Sequence, residues 1–294
     1  MIIDWHNFGW SILALKLGDS HPFVRISAHY EFFFARFADA HFAVTDAMAK
    51  QLRTRVSATS PILTLHDRPA ELFQPLTETQ RSMFLRRYKT VAPFFDALVY
   101  GKARLLVSST SWTADEDFSV FLQALKDYST IASSTTSQLP ELLVIITGKG
   151  PLQDHYLREI DRMDKYDELK RVKLYTDWLS FADYAQLLGS ADLGVSLHTS
   201  SSGVDLPMKV VDMFGAGLPV LGWSKFAAWP ELVTEGVNGM GFSSAEQMTT
   251  ILCELFASGN SQLTKLKNGA VEESRRRWQD EWDPVAGKLL GLVT

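Results

Sequence analysis

The densest polar stretch of the chain is His198-Thr199-Ser200-Ser201-Ser202-Gly203-Val204-Asp205-Leu206-Pro207-Met208-Lys209-Val210-Val211-Asp212. A Ser-rich loop there gives way to a helix opening near Pro207. Lys209 falls in the first turn and Asp212 one turn later, on the same face. A lysine beside the free amides of a helix start suits a diphosphate, and Asp212 can accept hydrogen bonds from ribose hydroxyls, as an acid does in other nucleotide folds. The alternative is a surface ion pair between Lys209 and Asp212, worth well under about 1 kcal/mol. The apolar setting (Met208, Val210, Val211, Met213, Phe214) favours function, because charges in so apolar a segment need a reason.

Three further stretches carry candidate chemistry. Ser108-Ser109-Thr110-Ser111-Trp112-Thr113 precedes Asp115-Glu116-Asp117. Its small hydroxyl residues, Ser109 and Thr110 among them, let a backbone approach phosphate and donate to it. Taken alone, the same loop reads more readily as an N-cap cluster for the next helix. The acids would repel phosphate and are expected to serve the helix dipole. Gly148-Lys149-Gly150-Pro151 has two glycines for a tight passage from strand to helix and a lysine free to meet an anion. It has the spacing of neither the P-loop nor the dinucleotide fingerprint. In Asp4-Trp5-His6-Asn7, His6 stands at a strand's carboxyl lip, where it can act as acid or base near neutral pH; a structural histidine is the alternative. Glu31, between Tyr30 and Phe32, is the other acid-base candidate, set against a solvated helix face.

The elements that must position these residues follow from periodicity and caps. Strands are predicted at 2–3, 41–45, 61–65, 104–109, 141–147, 171–175, 192–197 and 218–222. Helices are predicted over 9–17, 22–37, 78–88, 118–128, from Pro151, to 188 from a Ser180/Asp183 capping box, over 208–214, and from about 245 and 262. Thr45-Asp46 caps a helix running to about Arg53, and 129–138 reads as a Ser/Thr-rich loop. In the 22–37 helix Phe23, Ile26, Tyr30, Phe33, Phe34 and Phe37 recur at helical spacing. The consecutive aromatics Phe32, Phe33 and Phe34 are expected in the core, with contact to a bilayer as the alternative. Strands separated by single helices imply right-handed crossovers and parallel sheets. The weak pattern at 89–102 places a domain boundary near residues 95 and 96.

Composition bounds the rest. The chain has 294 residues, 46% hydrophobic and 21% charged, with net charge −5. It suits one large domain or two modest ones. No basic stripe marks a nucleic-acid binder. The single Cys253 cannot form an intrachain disulfide and reads as an inert thiol in a reducing compartment. No apolar run has transmembrane length and no signal-peptide pattern opens the chain, so composition alone predicts a soluble intracellular protein. A strand beginning at residue 2 with no lead-in suits a chain that once continued upstream.

Together, Asp4-Trp5-His6-Asn7, Ser108 to Asp117, Ile146 to Leu152 and, above all, Gly189 to Gly215 resemble the chitobiosyldiphosphodolichol β-mannosyltransferases. The resemblance runs from about Ile2 to Trp282, weaker across the linker. It implies an α/β fold of GT-B type, two Rossmann-like domains facing a cleft, with the N-terminal one incomplete. It implies GDP-mannose as donor, bound mainly by the C-terminal domain, and transfer with inversion to GlcNAc2-diphosphodolichol at the cytosolic face of the endoplasmic reticulum membrane. No metal or other cofactor is implied at the reacting centre. Other mannosyltransferases of the dolichol pathway are implied as possible partners. Pro207, Lys209 and Asp212 match the family fold's P-x-K-x-x-E pattern with Asp for Glu, and Asp205 stands for the other acid of its pair. Ser109, Thr110, Gly148, Lys149, Gly150, His198 and Gly203 complete the implied donor site; His6 and then Glu31 are the candidate bases. The family also carries an N-terminal membrane anchor and a glycine loop ahead of Asp4-Trp5-His6-Asn7, neither of them in this sequence. The expectation is therefore a truncated form of such an enzyme. The alternatives are a non-catalytic chain that binds nucleotide sugar or pairs with pathway enzymes, and a GT-B enzyme with a soluble acceptor.

Overall fold

The structure, a computed structural model, describes residues 1–56 and 60–293. These form two parallel sheets. The first holds β1 (Ile2–Trp5), β2 (Ala40–Ala43) and β3 (Ile62–Thr64) in the order β1-β2-β3. The second holds β4 (Ala103–Ser109), β5 (Glu141–Thr147), β6 (Val172–Asp177), β7 (Leu193–Ser196), β8 (Val220–Trp223) and β9 (Gly239–Phe242). Its order is β6-β5-β4-β7-β8-β9, so the winding reverses between β4 and β7. At such a switch point the loops beyond the strands' carboxyl ends separate and leave a crevice.

The central strands of the second sheet read as continuous apolar runs because both faces are covered. Alternate residues feed different layers. Leu106, Val144 and Ile146 join Phe118, Phe121, Leu125 and Tyr128 on one side; Leu105, Val107, Leu143 and Ile145 join Val210, Met213 and Phe214 on the other. The helix Phe118–Ala132 buries Phe118, Phe121, Leu122, Leu125, Tyr128 and Ala132 at helical spacing, and its N-cap Asp117 accepts from the Ser119 amide at 3.0 Å.

Several expectations shift for identifiable reasons. That helix runs four residues past Tyr128, because Ser129 faces the protein and accepts from the Arg171 amide at 3.1 Å. The helix after β5 opens at Gln153, not Pro151: Pro151 and Leu152 form a turn, closed by the Gln153 amide donating to the Gly150 carbonyl at 3.2 Å. Strand β9 was not foreseen: Gly-Met-Gly-Phe has little strand propensity, but glycine is what lets β9 lie against the β8 backbone, where a Cβ on Gly239 would crowd the Val220 carbonyl. Between the sheets, Phe73, Phe84, Leu85, Phe95 and Leu98 share a core with Leu105, Val107, Leu143 and Ile145. By packing, the chain therefore leaves the first sheet soon after β3, ahead of the boundary expected at 95 and 96.

The two halves are joined. Trp5, Phe8, Phe32, Met48 and Leu52 share a cluster with Val204, Leu206 and Val211. Near the C-terminus Ala286, with Trp282 and Val285, packs on Phe42 and Leu65 of the first half. The helix Pro22–Ala35 ends two residues before Phe37 and buries Val24, Phe32 and Ala35. Phe33 and Phe34, expected in the core, are exposed, as are Phe23, Ile26, Tyr30 and Phe37. Among the described residues no helix is long and apolar enough to cross a membrane.

Candidate functional site

The lips of β4 and β7 meet at the switch point. An antiparallel bridge joins Glu116 to His198, and the Thr199 amide and hydroxyl both donate to the Asp115 carbonyl, at 3.0 and 2.7 Å. Glu116 is central to this junction, with 3% of its side chain exposed. Its Oε2 accepts from the Thr110 hydroxyl at 2.5 Å and the Ser111 amide at 2.7 Å. Its Oε1 lies 2.5 Å from the Lys209 ammonium, which also donates to the Ser111 hydroxyl at 3.0 Å. Of the three acids expected to serve the helix dipole, Asp117 caps the helix, whereas Glu116 fastens the hydroxyl loop to Lys209.

The Gly148-Lys149-Gly150 turn is shaped by that same loop. A Cβ on Gly148 would collide with the Thr110 carbonyl, and one on Gly150 with the Ser111 carbonyl. Gly148 also has φ +136°, a conformation that favours glycine. The Thr110 amide donates to the Thr147 carbonyl at 2.8 Å, and Trp112 Nε1 to the Gly148 carbonyl at 3.2 Å. Both glycines thus serve the approach of two loops. Lys149 is exposed, and its ammonium lies 4.6 Å above the Trp178 ring, which occupies it with a cation–π contact.

Beyond these loops opens a cleft of about 360 Å³, lined by Ser109, Thr110, Gly148, Trp178, Lys209 and Asp212, among others. The helix Met208–Gly215 begins at it with no side-chain cap, so its first amides are open to an acceptor. Lys209 points to Glu116; among the described residues no ion pair joins it to Asp212. Burial raises the Asp212 pKa to about 7, since removal from water disfavours the charged form. Tyr184 and Ser109 share a hydrogen bond of 2.8 Å at the floor. Burial holds the Tyr184 phenol well above its ordinary pKa.

The loop after β7 faces the first half of the chain. His198 Nε2 and Asp205 Oδ2 are 3.0 Å apart. Asp205 is buried and also accepts from the Ser200 hydroxyl and from Asn7 Nδ2, the latter at 3.4 Å. Asp205 is thus a knot between two loops. Gly203 has φ +74° with open space where a Cβ would lie, and its amide donates to the Ser200 hydroxyl at 2.7 Å; the backbone conformation alone calls for glycine.

His6 and Glu31, paired as candidates, are used differently. His6 sits between two carboxylates, Nδ1 3.1 Å from Asp67 and Nε2 3.2 Å from Asp4, and keeps 58% of its side chain exposed. Burial works to lower its pKa, but the charges and hydrogen bonds of Asp67 and Asp4 outweigh it, so the imidazole titrates above its ordinary value. Burial raises the Asp67 pKa in turn. Glu31 accepts from the Gly9 and Trp10 amides at 3.0 and 3.4 Å. It caps the helix Gly9–Leu17 from a neighbouring helix, and its negative charge suits that helix start.

Residues 102–258 match the family described as "Glycosyl transferases group 1". The chain belongs to that family. Curated relatives named chitobiosyldiphosphodolichol beta-mannosyltransferase include one from Arthroderma benhamiae, 56% identical over 100% of this chain and 66% of its own length. Another, from Mus musculus, is 39% identical over 99% of this chain and 64% of its own. The chain thus spans somewhat under two thirds of the length of these relatives. Among solved structures, Anabaena HepE in complex with UDP superposes with a TM-score of 0.72 at 16% identity, covering 99% of this chain and 72% of that one. Sucrose-phosphate synthase from Thermosynechococcus elongatus does so with 0.66 at 13% identity, covering 99% and 66%. At such identities the likeness is one of fold: this glycosyltransferase is α/β with the GT-B arrangement of parallel, Rossmann-like sheets.

In this group 1 glycosyltransferase the structure brings Ser109, Thr110, Gly148, Lys209 and Asp212 to one cleft. Lys149 lies against the ring of Trp178, one of the residues lining that cleft. His198, Gly203 and Asp205 form the loop between the halves, and Glu31 is drawn away to a helix cap. Sequence reasoning missed Glu116, Tyr184, Trp178 and Asp67. A buried glutamate in an acidic run carries no local signal; only its partner 93 residues away marks it.

Proposed function

We propose that this chain moves mannose from GDP-mannose to the terminal GlcNAc of GlcNAc2-diphosphodolichol, with inversion, at the cytosolic face of the endoplasmic reticulum membrane. The observation that carries the donor side is the uncapped helix start at Met208 with Lys209 and Asp212 lining one cleft. The names of the relatives support the acceptor. In this reading the acceptor hydroxyl oxygen attacks the anomeric carbon. The bond from that carbon to the diphosphate oxygen breaks, and GDP leaves. Lys209 and the helix amides take up the charge that grows on the leaving diphosphate, a task that calls for no metal at the reacting centre. Asp212 holds the ribose. His6, in its neutral form, accepts the hydroxyl proton on Nε2, where the acceptor hydroxyl takes the place of Asp4, while Asp67 at Nδ1 orients the ring.

The test is incubation with GDP-mannose and a lipid-linked chitobiose analogue, with and without a chelator. The trisaccharide is expected in both. GDP binding without turnover would instead support a non-catalytic chain that holds nucleotide sugar or associates with enzymes of the same pathway. Transfer only to a soluble sugar would sink the lipid-acceptor assignment.

A further inference from the structure

We propose that Glu116 is the positioning residue of the diphosphate site: it holds the Lys209 ammonium in place so that one N–H remains for a phosphate oxygen. The inference rests on the reading of the Met208 helix start as the place where the donor diphosphate binds.

An ammonium has three donors and a flexible four-carbon stem. Here two are committed, one to Glu116 at 2.5 Å and one to Ser111 at 3.0 Å. The side chain, 29% exposed, still lines the cleft with Thr110, Gly148 and Asp212. The Glu116 carboxylate is itself immobilised by the Thr110 hydroxyl and the Ser111 amide, and its backbone by the bridge to His198. One carboxylate thus ties the β4 loop to the helix after β7, across the switch point. Pre-ordering the lysine removes the rotamer entropy that a free side chain would lose on gripping an anion.

Positioning and simple electrostatics predict opposite results. Glu116→Gln removes a negative charge close to an anion site, which by Coulomb's law alone should tighten anion binding. If Glu116 positions Lys209, binding should weaken instead, by roughly tenfold, as for the loss of one charge-assisted hydrogen bond.

The experiment is calorimetric titration of the full chain with GDP and, separately, with inorganic diphosphate. Wild type, Glu116→Gln, Lys209→Ala and the double variant are compared. Both single substitutions should weaken both ligands, and the double variant should bind no worse than Lys209→Ala, because the two side chains act as a unit. Unchanged or tighter binding by Glu116→Gln, or losses that multiply, would overturn the proposal. Should Glu116→Gln fail to fold, Ser111→Ala removes the other contact of the ammonium. It should weaken binding by roughly threefold alone and by nothing further on top of Lys209→Ala; multiplying losses would again overturn it. Diphosphate binding with this variant dependence but no GDP binding would sink the guanosine donor and leave Glu116 its role. GDP binding indifferent to Glu116→Gln would do the reverse, and a wild type that takes up neither ligand would overturn both.

Discussion

Lys209 and Glu116, 93 residues apart in the chain, meet at 2.5 Å where the loop after β4 crosses the helix after β7. The contact joins a nearly buried acid to a cation at the edge of a cleft. It also makes stability and ligand binding depend on the same pair.

Lys209→Ala should therefore have two effects. It strands the Glu116 carboxylate without its cation, and breaking one side of a buried pair costs about 3 kcal/mol or more. Urea denaturation should show that loss, and adding Glu116→Gln should restore most of it. An unchanged midpoint in the single variant would mean that the pair is not formed in solution.

The glycines should separate by cause. Gly148→Ala and Gly150→Ala drive a methyl group into the backbone of Thr110 and Ser111. Both should lose several kcal/mol of stability, the upper range for single substitutions. Gly203→Ala meets open space at φ +74° and should cost only about 1 kcal/mol. Equal losses at all three positions, measured in urea, would contradict this account of the loop packing.

Asp212 gives stability a pH dependence of definite sign. Its pKa rises on folding from 3.8 to about 7, so the folded state binds the extra proton. Its contribution is fully present below the unfolded pKa and is lost as pH rises through the folded one. Asp212→Asn should thus raise the melting temperature near pH 8 by several degrees and leave it nearly unchanged near pH 4. The same shift at both values would remove the buried carboxylate as its cause.

If neutral His6 is the base, kcat/KM should rise with pH through its raised pKa. Asp67 is one cause of that rise, so Asp67→Asn should move the rising limb to lower pH. A limb that stays in place in the variant would dissociate the profile from His6.

Much of this arrangement is legible in the residues because it is local. The β5 run Glu141–Thr147 is apolar from Leu142 to Ile146 with a polar residue at each end. Thr45 and Ser180 each accept the amide three residues on, as their capping patterns imply. One helical turn relates Lys209 to Asp212, so their shared cleft follows from spacing. What escapes is what depends on distant approach. Glu31 is a cap only because one helix delivers it to the start of another. Glu116 is a partner only because the sheet reverses its winding between β4 and β7. Aromatic periodicity predicts an apolar face on the helix Pro22–Ala35, but cannot say whether anything covers it, and Phe33 and Phe34 are exposed.

The most direct test of the donor site is calorimetric titration with GDP-mannose of the wild type beside Asp212→Ala. Saturable binding by the wild type, weakened roughly tenfold or more in the variant, is the expected result for an acid that holds the ribose hydroxyls. Equal affinities in the two proteins would show that the nucleotide does not lie along the Met208–Gly215 helix.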